Sequence, residues 1–143
     1  MSISYLKTEE KITKAVNFYK EKETGKVFFD TEDILKQEEN KAKFDFIGDI
    51  AYTLLIPSWW LKNYIRSKAT VVNMIGLSNL DNYNFNNNVV AYLLKGWSIE
   101  EPLEFVADDN GVEMIENAEN LLKKPIHDHV FEAIIYLYNK LIA

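Results

Sequence analysis

The sequence predicts an α+β protein, a single domain over residues 1–143, that is mostly helical and carries one β-hairpin at about residues 43–56. Three observations lead to this class. Apolar residues recur at helical spacing in several segments, they alternate with polar residues on both sides of Gly48-Asp49, and the chain has the length of one ordinary domain. Because 48% of the residues are hydrophobic, the chain carries enough apolar surface for a core.

Residues 1–42 are predicted to form a helical N-terminal segment of unknown role. Thr8 is a suitable N-cap, and the apolar stripe that follows has the spacing of one helix face: Ile12, Ala15, Val16 and Tyr19. Gly25 ends this helix, Lys26–Phe29 reads as a short strand, and a polar helix follows from Asp30 or Thr31 to about Glu39.

The hairpin is predicted from alternation. Phe44 and Phe46 alternate with polar neighbours before Gly48-Asp49, and a second alternating set follows it: Ile50, Tyr52, Leu54 and Ile56. A Gly-Asp pair between two such runs is typical of a two-residue turn, in which glycine supplies a positive φ. Pro57 ends the second strand because proline cannot donate to the ladder.

Four helices are predicted after the hairpin. Ser58 caps the first, which begins at Trp59-Trp60 and runs to Gly76. The asparagine-rich stretch Ser78–Asn88 reads as a loop before a short helix, Val89–Lys95. A C-terminal amphipathic helix spans about residues 125–142, with the apolar stripe Ile126, Val130, Ala133, Ile134, Leu137 and Leu141.

Two further features lie between these helices. The stretch Asp108–Gly111 is a turn signal, and Val112 begins a further helix that includes Ile115 and Leu122. Trp97 follows Gly96 and is expected in the core, because large aromatic side chains are mostly buried.

Charge and composition exclude several classes of function. The net charge is −6, and Ser98–Asn120 carries eight acids and no base. The sequence contains a single arginine, Arg66, and this scarcity argues against nucleic-acid binding. The absence of cysteine removes disulfides and thiolate chemistry, and no run of apolar residues is long enough to cross a membrane.

No motif in the sequence indicates catalysis. His127 and His129 are two residues apart and so do not share a helix face, and no phosphate-binding loop or nucleophile elbow is present. We therefore expect no enzyme, no metal and no cofactor.

Protein binding is the better expectation, and its candidates are aromatic and acidic. Trp59 and Trp60 point about 100° apart on a helix, so they cannot both face one wall of the core. An exposed tryptophan is typical of interfaces, and Glu100, Glu101 and Glu104 would attract a basic partner. The alternatives are that one tryptophan fills the core while the other lies under a loop, and that the acids form a solvated face.

The order of these segments along the chain is itself informative. A strand pair leads into IPSWWLKNYIR, Ile56–Arg66, and a later helix ends in LLKGWS, Leu93–Ser98. An acidic loop with Pro102 follows, and then a terminal helix after KKPIHDHVFEAI, Lys123–Ile134. Over about residues 43–143, this order resembles small accessory proteins of long-tailed bacteriophages, which are encoded near tail-tube and tape-measure genes.

Several of those proteins are tail assembly chaperones. The resemblance implies a non-catalytic tail structural or assembly protein in the host cytoplasm or the virion. Its partners would be other phage or host proteins, without nucleic acid or membrane, and a homo-oligomer stays open. The alternative function is a small phage or mobile-element inhibitor that blocks a host defence protein.

Overall fold

The structure is a computed structural model that describes residues 10–29, 43–72 and 74–143. Its strands, in chain order, are β1 (Lys11–Glu21), β2 (Val27–Phe29), β3 (Phe44–Leu55), β4 (Thr70–Val72), β5 (Ser78–Leu80), β6 (Leu94–Trp97), β7 (Phe105–Ala107) and β8 (Glu113–Ile115). Its helices are α1 (Trp59–Lys68), α2 (Asn82–Leu93), α3 (Ala118–Lys123) and α4 (Asp128–Leu141). The α+β class is therefore correct, but the expectation of a mostly helical chain is wrong.

A four-stranded antiparallel sheet organises the molecule, in the order β2-β1-β3-β6. Two small antiparallel ribbons, β4-β5 and β7-β8, lie outside it. One face of the sheet packs on the helices through Val16, Phe18, Tyr52 and Leu54, which are at most 6% exposed. These residues belong to one apolar cluster with the inner faces of α1, α2 and α4.

The predicted first helix is a strand. Ile12 and Val16 are four residues apart, a spacing that fits one helix face and also one face of a strand. Phe18 is buried beside Val16, so the observed burial has period two, and β1 pairs with β3 along its whole length. The short strand predicted at Lys26–Phe29 is confirmed as β2, whereas Thr8 and the polar helix predicted over 31–39 lie outside the described residues.

The predicted hairpin at about 43–56 is a single strand, β3, with no turn at Gly48-Asp49. Phe18 lies opposite Gly48 and Tyr19 opposite Phe46, so Ile47 is the extra residue of a β-bulge. Gly48 has φ +146°, and this explains why glycine stands there. The residues of β3 therefore pair with the long strand β1 and do not fold back on one another at a local turn.

Helices α1 and α4 agree best with the sequence. The Ser58 hydroxyl accepts a hydrogen bond from the Leu61 amide at 3.1 Å, which confirms the predicted cap of α1. In α4 the predicted stripe is buried at Val130, Ala133, Ile134 and Leu137. However, α1 ends at Lys68 instead of Gly76, because the β-branched run Thr70–Val72 continues as a strand.

The asparagine-rich stretch, expected to be a loop, forms strand β5 and then the first half of helix α2. Helix α2 begins at Asn82, and the Asp81 side chain accepts from the Asn84 amide at 3.2 Å as its N-cap. Its second half, Val89–Leu93, is buried throughout, so the packing of that half against the core outweighs the weak helix propensity of asparagine. The expected helix start at Val112 is also wrong, because Glu113–Ile115 pairs with β7 as β8.

Candidate protein-binding surfaces

Trp59 and Trp60 both lie at the surface, on the first turn of α1. Their exposed fractions are 81% and 56%, so the alternative in which one of them fills the core is wrong. The Trp60 ring stacks on Tyr64 one turn later, with centroids 4.9 Å apart and planes 13° apart. The stack fixes the Trp60 ring while Trp59 remains open to a partner.

The β4–β5 ribbon, Thr70–Leu80, is a second exposed apolar element, which we call the arm. Nine of the fourteen large exposed apolar residues described lie between residues 59 and 83, and the arm contributes Val71, Val72, Met74, Ile75, Leu77 and Leu80. The segment contains no charged residue and is flanked by Lys68 and Asp81. At its base, the Asp81 amide donates to the Ala69 carbonyl at 2.7 Å.

The arm and the tryptophans stand at opposite ends of α1. A helix of ten residues is about 15 Å long. Trp59 therefore lies about one helix length from the point where β4 begins.

A hydrogen-bonded cluster of two tyrosines and one aspartate connects α1, α2 and the turn between β7 and β8. The Tyr64 hydroxyl donates to Asp108 Oδ2 at 2.5 Å, and the Tyr92 hydroxyl donates to the same oxygen at 2.7 Å. The amides of Asn110 and Val112 donate to Asp108 Oδ1, both at 2.9 Å. The Asp108 carboxylate thus accepts four hydrogen bonds, and these hold the turn between β7 and β8 against α1 and α2.

The protonation states of the cluster follow from these bonds. Partial burial works to raise the pKa of Asp108, but the hydrogen bonds from Tyr64, Tyr92, Val112 and Asn110 outweigh it and hold the pKa well below its usual range. Burial, and then the bond to Asp108, raise the pKa of Tyr92. Lys68 covers both rings, with Nζ 5.3 Å from the Tyr64 centroid and 5.9 Å from that of Tyr92.

The acids proposed for partner binding do not share one environment. Glu100 and Glu104 are exposed, whereas Glu101 is half-buried and forms an ion pair with Lys124. The Glu101 carbonyl also accepts from Trp97 Nε1 at 2.8 Å. Glu101, Glu104 and Lys124 border a cavity of about 400 Å³ beside α3.

The acidic stretch, Ser98–Asn120, is connected to Trp60 through Asp108. The contacts run from Trp60 to Tyr64 and from Tyr64 to Asp108, and they do not include Glu100, Glu101 or Glu104. Trp97 is half-buried and packs against the core without being part of it, so its expected place in the core is only partly met; its ring lies 6.2 Å from that of Phe131 on α4.

Sequence reasoning missed the arm and the tyrosine cluster. A signal for the arm was present: eleven residues without a charge, Thr70–Leu80, rich in β-branched and apolar side chains. This signal was overlooked because Val72 was assigned to the helix that was expected to run to Gly76. No local signal could have found the cluster, because Tyr64 and Asp108 are 44 residues apart.

The two histidines stand at the start of α4. His127 Nδ1 accepts from the His129 amide at 3.1 Å and so caps the helix. Nowhere in the described ranges do three metal-ligating side chains of histidine, cysteine, aspartate or glutamate come together.

No protein-family model, curated protein or solved structure matches this chain. In the part of the chain that the structure describes, no helix is both long and apolar enough to span a bilayer.

Proposed function

We propose that this protein is not an enzyme and acts by binding another protein through the arm. The observation that carries this proposal is the exposure of an uncharged apolar ribbon: Val72 is 64% exposed and Met74 is fully exposed. Large contiguous apolar patches on soluble proteins mark interaction sites. An exposed apolar ribbon is also prone to nonspecific pairing with other chains, and burial against a specific partner would prevent this.

The chemistry of the arm defines the partner surface. Burying one valine or methionine side chain contributes about 1.5–3 kcal/mol, so a few such residues would supply a useful binding energy. Because the arm carries no charge, a charged residue facing it would lose water without gaining a counter-ion. The matching surface is therefore an apolar groove on a folded protein.

The resemblance to accessory proteins of long-tailed bacteriophages supplies the biological setting. In that setting the groove belongs to a tail subunit, and this protein is a tail structural or assembly protein in the host cytoplasm or the virion. Trp59 at the far end of α1 provides a second apolar contact, and Glu100 and Glu104 steer the approach of a basic surface.

A matched pair of substitutions tests the arm. Val72→Asp places a charge on the arm, and Val106→Asp places the same charge on β7, where the valine is 44% exposed. Tagged proteins are purified from phage-infected cells, and the identified tail subunits that accompany them are quantified by mass spectrometry. We expect Val72→Asp to reduce capture at least tenfold, about 1.4 kcal/mol, and Val106→Asp to leave it unchanged.

Equal capture by both variants would contradict a role for the arm. Recovery of a host defence protein in place of tail subunits would favour the inhibitor function. Mass spectrometry of purified particles then separates a virion component from an assembly factor that is absent from mature particles.

A further inference from the structure

Helices α1, α2 and α4 enclose a cavity of about 300 Å³. Four of its lining residues recur at helical spacing and so share one face of α1: Trp59, Lys62, Asn63 and Arg66. Phe85 of α2, Tyr138 of α4 and Ala143 complete the lining. The rings of Phe85 and Tyr138 are in edge-to-face contact, with centroids 6.0 Å apart. The cavity is therefore built by tertiary packing from three separate helices.

The cavity carries positive charge, and no acidic side chain is among the described residues that line it. Arg66, the single arginine of the chain, is exposed, and no carboxylate of a described residue lies within ion-pair distance of it. Lys62 Nζ donates to the Ile142 carbonyl at 3.2 Å, and an ammonium group has two further hydrogens to donate. Both cations thus keep donors that a ligand could use.

A buried hydroxyl without a partner lies in the same cavity. Tyr138 is only 8% exposed, yet no described residue forms a hydrogen bond with its hydroxyl. This hydroxyl is not among the fully enclosed polar atoms that lack a partner, so it opens into the cavity that its ring lines. Buried polar groups in proteins are normally hydrogen-bonded. An acceptor bound in the cavity would satisfy this one.

The Tyr138 hydroxyl and the Arg66 guanidinium are close enough to act on one ligand. Burial raises the pKa of Tyr138, and the charge of Arg66 opposes this rise. The hydroxyl is therefore a neutral donor beside a permanent cation.

We infer that this cavity binds a carboxylate group carried by an apolar body. The planar fork of Arg66 matches the two oxygens of a carboxylate, and the Tyr138 hydroxyl can donate to one of them. Trp59, which is 81% exposed, and Phe85 offer ring surfaces to the apolar part of the ligand. The volume is at the lower end of that of small-molecule sites. A small organic acid or the free carboxyl terminus of a peptide would supply this chemistry.

Matched acids and amides test the inference on the full chain. The probes are phenylpropionate and its amide, and a short acetylated peptide that ends in phenylalanine with either a free carboxylate or an amide. Binding is followed by the indole N–H signals in proton–nitrogen NMR spectra. Trp97, whose Nε1 donates to the Glu101 carbonyl, is the internal reference. We expect at least one acid to shift the Trp59 signal saturably, with a Kd of about 1 mM or lower, and the matching amide to bind at least about tenfold more weakly.

The two acids distinguish the sources of the carboxylate. Binding of phenylpropionate would assign the cavity to small organic acids. Binding of the peptide acid alone would assign it to a chain terminus.

Three variants separate recognition from general charge effects. Arg66→Gln should weaken the acid at least about tenfold and remove its advantage over the amide. Tyr138→Phe keeps the ring beside Phe85 and removes only the hydroxyl, so it should weaken the acid about fivefold. Lys26→Gln removes one positive charge at an exposed position before β2 and should leave every affinity unchanged.

Four results would overturn the inference: no binding of either acid, equal affinity for acid and amide, no effect of Arg66→Gln, or tighter binding of inorganic phosphate than of either acid. The last result would show that the rings contribute nothing to recognition. None of these results depends on capture of tail subunits by the arm.

Discussion

Asp108 illustrates how one side chain organises a surface. Its two oxygens accept two hydroxyls and two amides, and these come from α1, α2 and the turn that Asp108 itself begins. The cluster brings the acidic stretch against Tyr64, on which Trp60 stacks. The position of an interface candidate therefore depends on a residue that does not itself face the partner.

Asp108→Asn should lower the free energy of unfolding by about 1–2 kcal/mol at pH 7, because an amide cannot accept all four hydrogen bonds. Asp109→Asn, at the exposed neighbour, is the matched control and should have little effect. The pKa of Asp108 is lower in the folded than in the unfolded protein, so its stabilisation is present above the ordinary aspartate pKa and is lost as pH falls through the folded value.

Urea denaturation at pH 7 and pH 3 measures this effect. The gap between wild type and Asp108→Asn should narrow toward pH 3, while Asp109→Asn remains close to wild type at both. A gap that is the same at both pH values would mean that the charge of Asp108 contributes nothing.

At the scale of elements, β3 shows how a glycine can signal a bulge instead of a turn. The strand runs through Gly48 without reversing, and Ile47 is accommodated as the extra residue opposite the Phe18–Tyr19 step of β1. The extra residue changes which side chains face the helices, so that Tyr52 and Leu54 enter the core while Phe46 stays exposed.

A pair of glycine substitutions tests the bulge. Gly48→Ala should cost about 1–2 kcal/mol, because φ +146° is unfavourable for any residue with a Cβ atom, although the added atom would meet nothing within 4 Å. Gly96→Ala should cost less, since φ there is not positive and its Cβ would make an ordinary 3.6 Å contact with Thr53. The measurement is the urea midpoint with the m-value unchanged. Equal midpoints for the two variants would count against a strained bulge.

At the scale of the whole molecule, the sheet and all four described helices share one core. Tyr52 connects them directly: its side chain is fully buried, and its hydroxyl donates to the Val130 carbonyl on α4 at 2.8 Å. Burial raises the pKa of Tyr52, so the hydroxyl stays neutral and the donor is retained. Ile134, also fully buried, belongs to the same cluster.

Ile134→Asp should therefore unfold the chain or cost at least about 3 kcal/mol, because it buries an unpaired charge. Leu141→Asp, on the same helix at a position that is 40% exposed, is the control and should stay folded. Circular dichroism and solubility distinguish the two. A folded, soluble Ile134→Asp protein would show that α4 packs on a partner and not on this sheet.

The sequence by itself determined the elements whose signals are local. Ser58 before Trp59 predicts the start of α1, the stripe of α4 predicts its buried face, and Asp108–Gly111 predicts the turn between β7 and β8. Caps, turns and helix stripes act within a few residues, so they hold in almost any tertiary context.

Only the tertiary structure decided which apolar runs became strands and which surfaces stayed open. Ile12 and Val16 fit a helix and a strand equally well, and β3 would read as a hairpin without β1 beside it. Pairing between β1 and β3, whose partner residues are 23 to 44 positions apart, settles both, and no local pattern encodes it. The arm stays exposed because β4 and β5 pair with each other outside the four-stranded sheet.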